Sequence, residues 1–172
     1  MNKDNNSKMS RSSRIASLGV FLALAMMLSY VETLIPINFG VPGMKLGLAN
    51  MVVVILLYLF TPKEAFLISM IRILLSGLLF GNAMSLIYSY AGGILSFVVM
   101  YLFFKLKKVK MIPLSVIGAV THNAGQLIAA AILVTNYGIV FYLPVLIIAG
   151  IITGLITGSL SASVHSRLKR II

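Results

Sequence analysis

Stretches of about 20 mostly apolar residues recur along this chain from Ile15 almost to its end, with charges gathered in the gaps between them. This pattern constrains the fold more than any motif does. A chain so organised has no polar coat for water and reads as a polytopic membrane protein, all-α and multi-pass in the cell membrane. Composition agrees: 60% of the 172 residues are hydrophobic and 10% are charged, against about 25% charged in a soluble domain. There is no cysteine, which excludes a disulfide scaffold. The formal charge of +11 does not point to nucleic acid. In a membrane protein, excess Lys and Arg usually marks the cytoplasmic side.

Six spans are expected, at about Ile15–Ile35, Leu46–Phe60, Ala65–Phe80, Met84–Phe104, Ile112–Val134 and Ile139–Val164. The second is short for a crossing unless it begins in a broken or interfacial segment. Thr61-Pro62-Lys63-Glu64 reads as a tight turn with proline at a helix start. Residues 1–14 form a basic tail without an A-x-A-like cleavage site, and 165–172 form a second basic tail. The domain plan is thus tail, six-helix membrane domain over 15–164, tail. With six crossings, twelve of the fourteen Lys and Arg residues fall on the side of the termini. That bias puts both termini in the cytoplasm.

Acidic residues exclude more than basic ones imply. Asp4, Glu32 and Glu64 are the only carboxylates, and Glu32 alone is a candidate for the membrane interior. A two-carboxylate hydrolase, a carboxylate metal cage or a two-metal phosphoryl site lacks its ligands. No GxxxxGK[ST] loop is present. No catalytic residue, cofactor or metal is expected. His122 has only His165, in the tail, as a second histidine, which argues against a metal site.

The remaining candidates are polar groups at membrane depth. Arg72, mid-way along the third span with Ser76 at i+4, reads either as a contact for an anionic or polar head group, as a counter-charge for Glu32, or as a structural arginine. His122, Asn123 and Gln126 in the fifth span read either as the lining of a ligand pocket or as interhelical hydrogen bonds. Lys45 and Glu32 flank the first loop and read as a surface pair or as contacts for an entering ligand. Asn50 is a lone amide early in the second span, a capping group or a ligand contact. Tyr88 and Tyr90 are expected in the aromatic belt, and Gly92-Gly93 allow either close helix approach or space for a ligand. Small residues at spacing four, Gly19-xxx-Ala23 in the first span and Gly150-xxx-Gly154-xxx-Gly158 in the last, are candidate packing or partner faces.

The run Pro42 to Asn50, the neighbourhood of Arg72, Leu75 and Gly77 with Leu79-Phe80-Gly81, and the run Gly118 to Gln126 together resemble one small membrane family. It is the heptaprenyl diphosphate synthase component I family, also called the Gx transporter family. The resemblance covers about Ile15 to Gly158. That family in turn looks like the substrate-binding S components of energy-coupling factor transporters, which are six-helix bundles. The resemblance implies a transmembrane coupling subunit docking on the first helix, at Gly19 and Ala23, with ATPases on other chains. Its two names imply two functions. The first is uptake of a small or amphipathic ligand, flavin-, vitamin- or prenyl-lipid-like. The second is a non-catalytic membrane role in heptaprenyl diphosphate synthesis, or an anchor for an electron-transfer assembly. The missing acidic motif and the buried polar groups favour uptake, with Arg72, His122, Asn123, Gln126, Lys45 and Asn50 as the ligand-binding set.

Overall fold

Turn chemistry decides where the helices begin. Thr61 caps the N-terminus of a helix by accepting from the Glu64 N–H, while the Glu64 side chain reaches back to the Thr61 N–H at 2.9 Å, with Pro62 in the first turn. Asn82 does the same for the next helix by accepting from the Ser85 N–H at 2.8 Å. The computed structural model describes residues 10–34, 47–107, 109–135 and 137–168, apart from the Tyr137 side chain. Among them are six α-helices: α1 Arg11–Leu34, α2 Asn50–Leu59, α3 Pro62–Phe80, α4 Ala83–Lys105, α5 Met111–Val134 and α6 Leu143–Leu168. A 3-10 turn, Tyr137–Tyr142, precedes α6. No strand occurs among the described residues, and the expected all-helical class holds.

Four helical stretches are long and apolar enough to cross a membrane: α1, α4, α5 and the segment 138–168. The 19 residues of α3 carry Lys63, Glu64 and Arg72. The ten residues of α2 rise only about 15 Å, half of a bilayer core of about 30 Å. Its sequence, NMVVVILLYL, is apolar on nearly every side, as in a helix that no water reaches. Val52 to Leu57 are at most 1% exposed, enclosed by Phe21 and Ala25 of α1, Ile68 of α3, Phe97 and Met100 of α4, and Leu114 of α5.

Contacts at the ends fix the direction of each helix. Arg14 at the start of α1 pairs with Glu64 at the start of α3 at 2.6 Å. Tyr58 at the end of α2 packs on Phe104 of α4 and His165 of α6 and donates to the Val109 carbonyl before α5. The first turn of α1 and the last of α6 therefore share one end of the bundle. Glu32 and Gly47 lie at the other.

Glycines set the closest approaches. A Cβ on Gly154 would stand 2.5 Å from the Val116 Cα, and one on Gly125 would stand 2.8 Å from the Gly92 Cα. The small-residue face of α6, at Gly150, Gly154 and Gly158, is thus filled by α5 within the chain. Gly92 and Gly93 serve close approach: the first meets α5 at His122 and Gln126, the second meets α3 at Ile73. Tyr88 departs from the expected aromatic belt. It is 2% exposed, in a core with Leu127, Ala130, Ile139 and Leu146, because α4 presents its Tyr88, Gly92 and Ser96 face inward.

Candidate functional site

Two polar groups form inside the bundle, and they differ in what their atoms touch. The first stitches helices. Asn50 Nδ2 donates to Ser96 Oγ at 3.1 Å, and Ser96 Oγ donates to the Gly118 carbonyl at 2.8 Å, joining α2, α4 and α5. Asn123 Nδ2 donates to the Leu146 carbonyl of α6 at 2.9 Å. Ser115 and Thr157 share a hydrogen bond of 3.0 Å between α5 and α6. Ser161 donates to the Met51 carbonyl at 3.3 Å. Each of these amides and hydroxyls ends on another group of the chain, as buried polar atoms must.

The second group lies towards the end opposite the Arg14–Glu64 pair. Helix α3 carries Arg72 at 4% exposure. Its one hydrogen bond among the described residues is long, from Nη1 to Ser29 Oγ of α1 at 3.4 Å. Its Nε is buried with no partner there. A guanidinium has five N–H donors, so this one is far from satisfied. Glu32, one turn beyond Ser29 on α1, is 6% exposed, and its charge acts on Arg72. The Glu32 carboxylate accepts a hydrogen bond from the Gly47 N–H. Glu32 is thus buried, and its expected partner Lys45 lies outside the described residues.

Gly47 has a φ of +83°, a conformation that side chains disfavour. It packs on the imidazole of His122, 3.4 Å from where a Cβ would sit. Gln126 Nε2 donates to His122 Nε2 at 2.6 Å, one turn along α5. Gly47 thus links Glu32 of α1 to His122 and Gln126 of α5, while Arg72 of α3 meets α1 one turn away at Ser29. Asn50 and Asn123 belong instead to the stitching group. Lys45 lies outside the described residues. Gly19 and Ala23 lie apart from both groups, exposed on α1, and nothing stands within 4 Å of a Cβ on Gly19.

Two buried serines, Ser29 beside Arg72 and Ser89 on α4, give no signal as polar contacts in the sequence. The Ser89 hydroxyl is buried with no partner among the described residues, one turn before Gly92 and Gly93 on α4. Both are serines inside apolar helices, a common packing choice, and only their depth singles them out.

The family model described as heptaprenyl diphosphate synthase component I matches residues 21–164, which include every described residue of both polar groups. This chain belongs to that family. No curated protein and no solved structure matches it. Within this component I family member, the match spans the chain from within α1 to near the end of α6 and so includes the whole arrangement around Arg72.

Proposed function

We propose that this component I family member is a non-catalytic, ligand-holding membrane component that works with other chains. One observation carries the reading: a buried arginine with a single weak hydrogen bond. An unpaired buried charge is costly, and its cost is offset when a ligand supplies the missing acceptors. The ligand has a polar or anionic head for Arg72 and an apolar body for the surrounding helices. In the uptake reading it enters from the side opposite the basic ends, and a transmembrane coupling subunit docks on the exposed Gly19 and Ala23 face while ATPases reside on further chains. The family match favours a second reading, an accessory membrane role beside the catalytic part of a heptaprenyl diphosphate synthase.

Native mass spectrometry of protein purified in mild detergent tests the ligand-holding role. A retained mass other than detergent or bilayer phospholipid is expected on the wild type and not on Arg72→Gln. The same mass on both, or on neither, contradicts the reading. The two readings separate by partner: co-purification with ATPases supports uptake, and co-purification with a prenyl diphosphate synthase supports the accessory role. The topology proposed with either is six crossings with both termini cytoplasmic. Reporter fusions within 105–110 and after 170 should both report cytoplasm, since the basic residues gather there. An external signal at either position contradicts it.

A further inference from the structure

At the basic end, two corners of the bundle differ in how their charges are met. Where α1 meets α3, Arg14 pairs with Glu64 at 2.6 Å. Where α4, α5 and α6 meet the end of α2, the described residues include no carboxylate. The sequence has no Asp or Glu after Glu64, yet seven of its fourteen Lys and Arg residues come after Arg72. Tyr58 gathers four of these seven. Its ring packs on Phe104 and His165, with centroids 5.1 and 5.7 Å away, and its hydroxyl donates to the Val109 carbonyl at 3.3 Å. Lys105 follows Phe104, Lys110 follows Val109, and Arg167 lies two residues beyond His165. These three and Lys107 are all exposed. The end of α4, the start of α5 and the end of α6 thus deliver their cations to one corner.

Two observations bear on what meets this corner. The last turn of α4 mixes charge with exposed apolar side chains: Leu102, Phe103 and Leu106 are 55%, 38% and 62% exposed around Lys105 and Lys107. A dock for a soluble acidic partner has no need of them. At the edge of a bilayer they face acyl chains, while the lysine stems run out to the head groups. The second observation is backbone. Lys107 has a φ of +55°, the left-handed conformation that glycine usually takes just past a helix end. Its N–H closes the helix on the Phe104 carbonyl at 3.1 Å. Glycine would make the same turn with less strain, so the lysine side chain adds a charge that the turn itself does not require.

We infer that this corner is a binding surface for the head groups of anionic phospholipids in the leaflet at the basic end. The inference rests on the helices crossing a bilayer, which the reporter fusions above test separately, and on neither reading of the Arg72 ligand. A phosphodiester head with net negative charge gains from every cation of the corner. A zwitterionic head brings an ammonium that the same cations repel. Each Lys or Arg close to an anionic surface is worth about fivefold in partition. The preference falls with salt, because these cations are exposed.

The test holds the acyl chains constant and changes the head. Full-length protein is placed in nanodiscs of equal parts phosphatidylglycerol and phosphatidylcholine, and the phospholipids that stay bound are counted by native mass spectrometry. Wild type should retain phosphatidylglycerol over phosphatidylcholine by about tenfold. Lys107→Gly suits the left-handed turn, so it should unfold no earlier than wild type and still lower that ratio by about threefold. Lys107→Arg keeps the charge and should keep the ratio. Lys105→Gln, Lys107→Gly and Lys110→Gln combined should bring the ratio close to one. If the triple variant does not fold, Lys107→Gly and Lys107→Arg carry the test between them. No preference in wild type, or a preference that Lys107→Gly and the triple variant both keep, overturns the inference and leaves the membrane crossings standing. Polyglutamate offered to protein in pure phosphatidylcholine nanodiscs supplies the remaining outcome. If it binds wild type but not the triple variant, and wild type shows no lipid preference, the corner docks an acidic protein and the lipid surface is overturned.

Discussion

The seam between α5 and α6 and the seam between α1 and α3 are built from similar residue types and end differently. Along α5–α6, glycines bring backbones together, and Asn123, Ser115 and Thr157 close their hydrogen bonds across the gap. Along α1–α3, Arg72 meets Ser29 at 3.4 Å and keeps Nε without a partner among the described residues, and on the exposed face of α1 a Cβ on Gly19 would meet nothing within 4 Å. The same sequence signals, a small residue at spacing four or a polar residue at mid-span, thus mark internal packing in one seam and unsatisfied capacity in the other. What separates them is whether a neighbouring helix of this chain supplies the partner.

The sharpest way to break this comparison is to fill both glycine faces. Gly154→Leu drives a side chain into the Val116 backbone, which has no flexible end to give way, and should cost at least about 1–3 kcal/mol. Loss of monodisperse protein on size exclusion is the expected readout. Gly19→Leu enters open space and should leave the purified chain folded. If Gly154→Leu is tolerated as well as Gly19→Leu, the two seams are not different in kind.

Next come the polar groups. Asn123→Ala should lower stability by about 1 kcal/mol or somewhat less, the usual worth of an interhelical hydrogen bond, without changing ligand retention. Arg72→Gln should lose ligand retention, and the only stability it loses should be what the bound ligand contributed. Thermal unfolding beside native mass spectrometry separates the two, and a matching pattern for both variants would place them in one class.

The smallest effect is at the basic end, outside the spanning segments. Burial pushes the Glu64 carboxyl up, but hydrogen bonds from Arg14 and Thr61 outweigh it and hold the group below its ordinary value of 4.5. The stabilisation is therefore present above that ordinary value and is lost as pH falls through the lowered one. Wild type should unfold slightly later than Glu64→Gln at pH 7, by under about 1 kcal/mol, and the gap should close in acid. A gap that persists or widens in acid would show that the pair does not clasp α1 to α3.

Much of the fold was legible because membrane helices and their caps follow local rules. Thr61-Pro62-Lys63-Glu64 forms the expected helix start, and the chain turns at Gly81-Asn82, in the gap expected between the third and fourth spans. The short second span was legible as an oddity. Its solution, a ten-residue helix walled in by its neighbours, depends on tertiary packing that no local pattern encodes. The polar residues were legible as candidates by depth alone. Their sorting was not, because Asn123 and His122 are adjacent in sequence, yet Asn123 bonds across to α6 while His122 bonds to Gln126 of its own helix and packs on Gly47. Tyr88 misled for the same reason: a tyrosine near a helix end reads as interfacial unless one knows which face is turned inward.

The central claim is that Arg72 is held for a ligand and does not hold the bundle together. It is tested most directly by the unfolding midpoint of wild type and Arg72→Gln, each measured as isolated and again after exhaustive ligand stripping. Anything bound only to the folded state raises its stability, and removing it returns the intrinsic value. The account predicts that wild type exceeds Arg72→Gln as isolated and that, once stripped, the variant equals or exceeds wild type, since it no longer buries an undersatisfied charge. A variant that is less stable than wild type by the same margin in both states would make Arg72 structural and contradict the account.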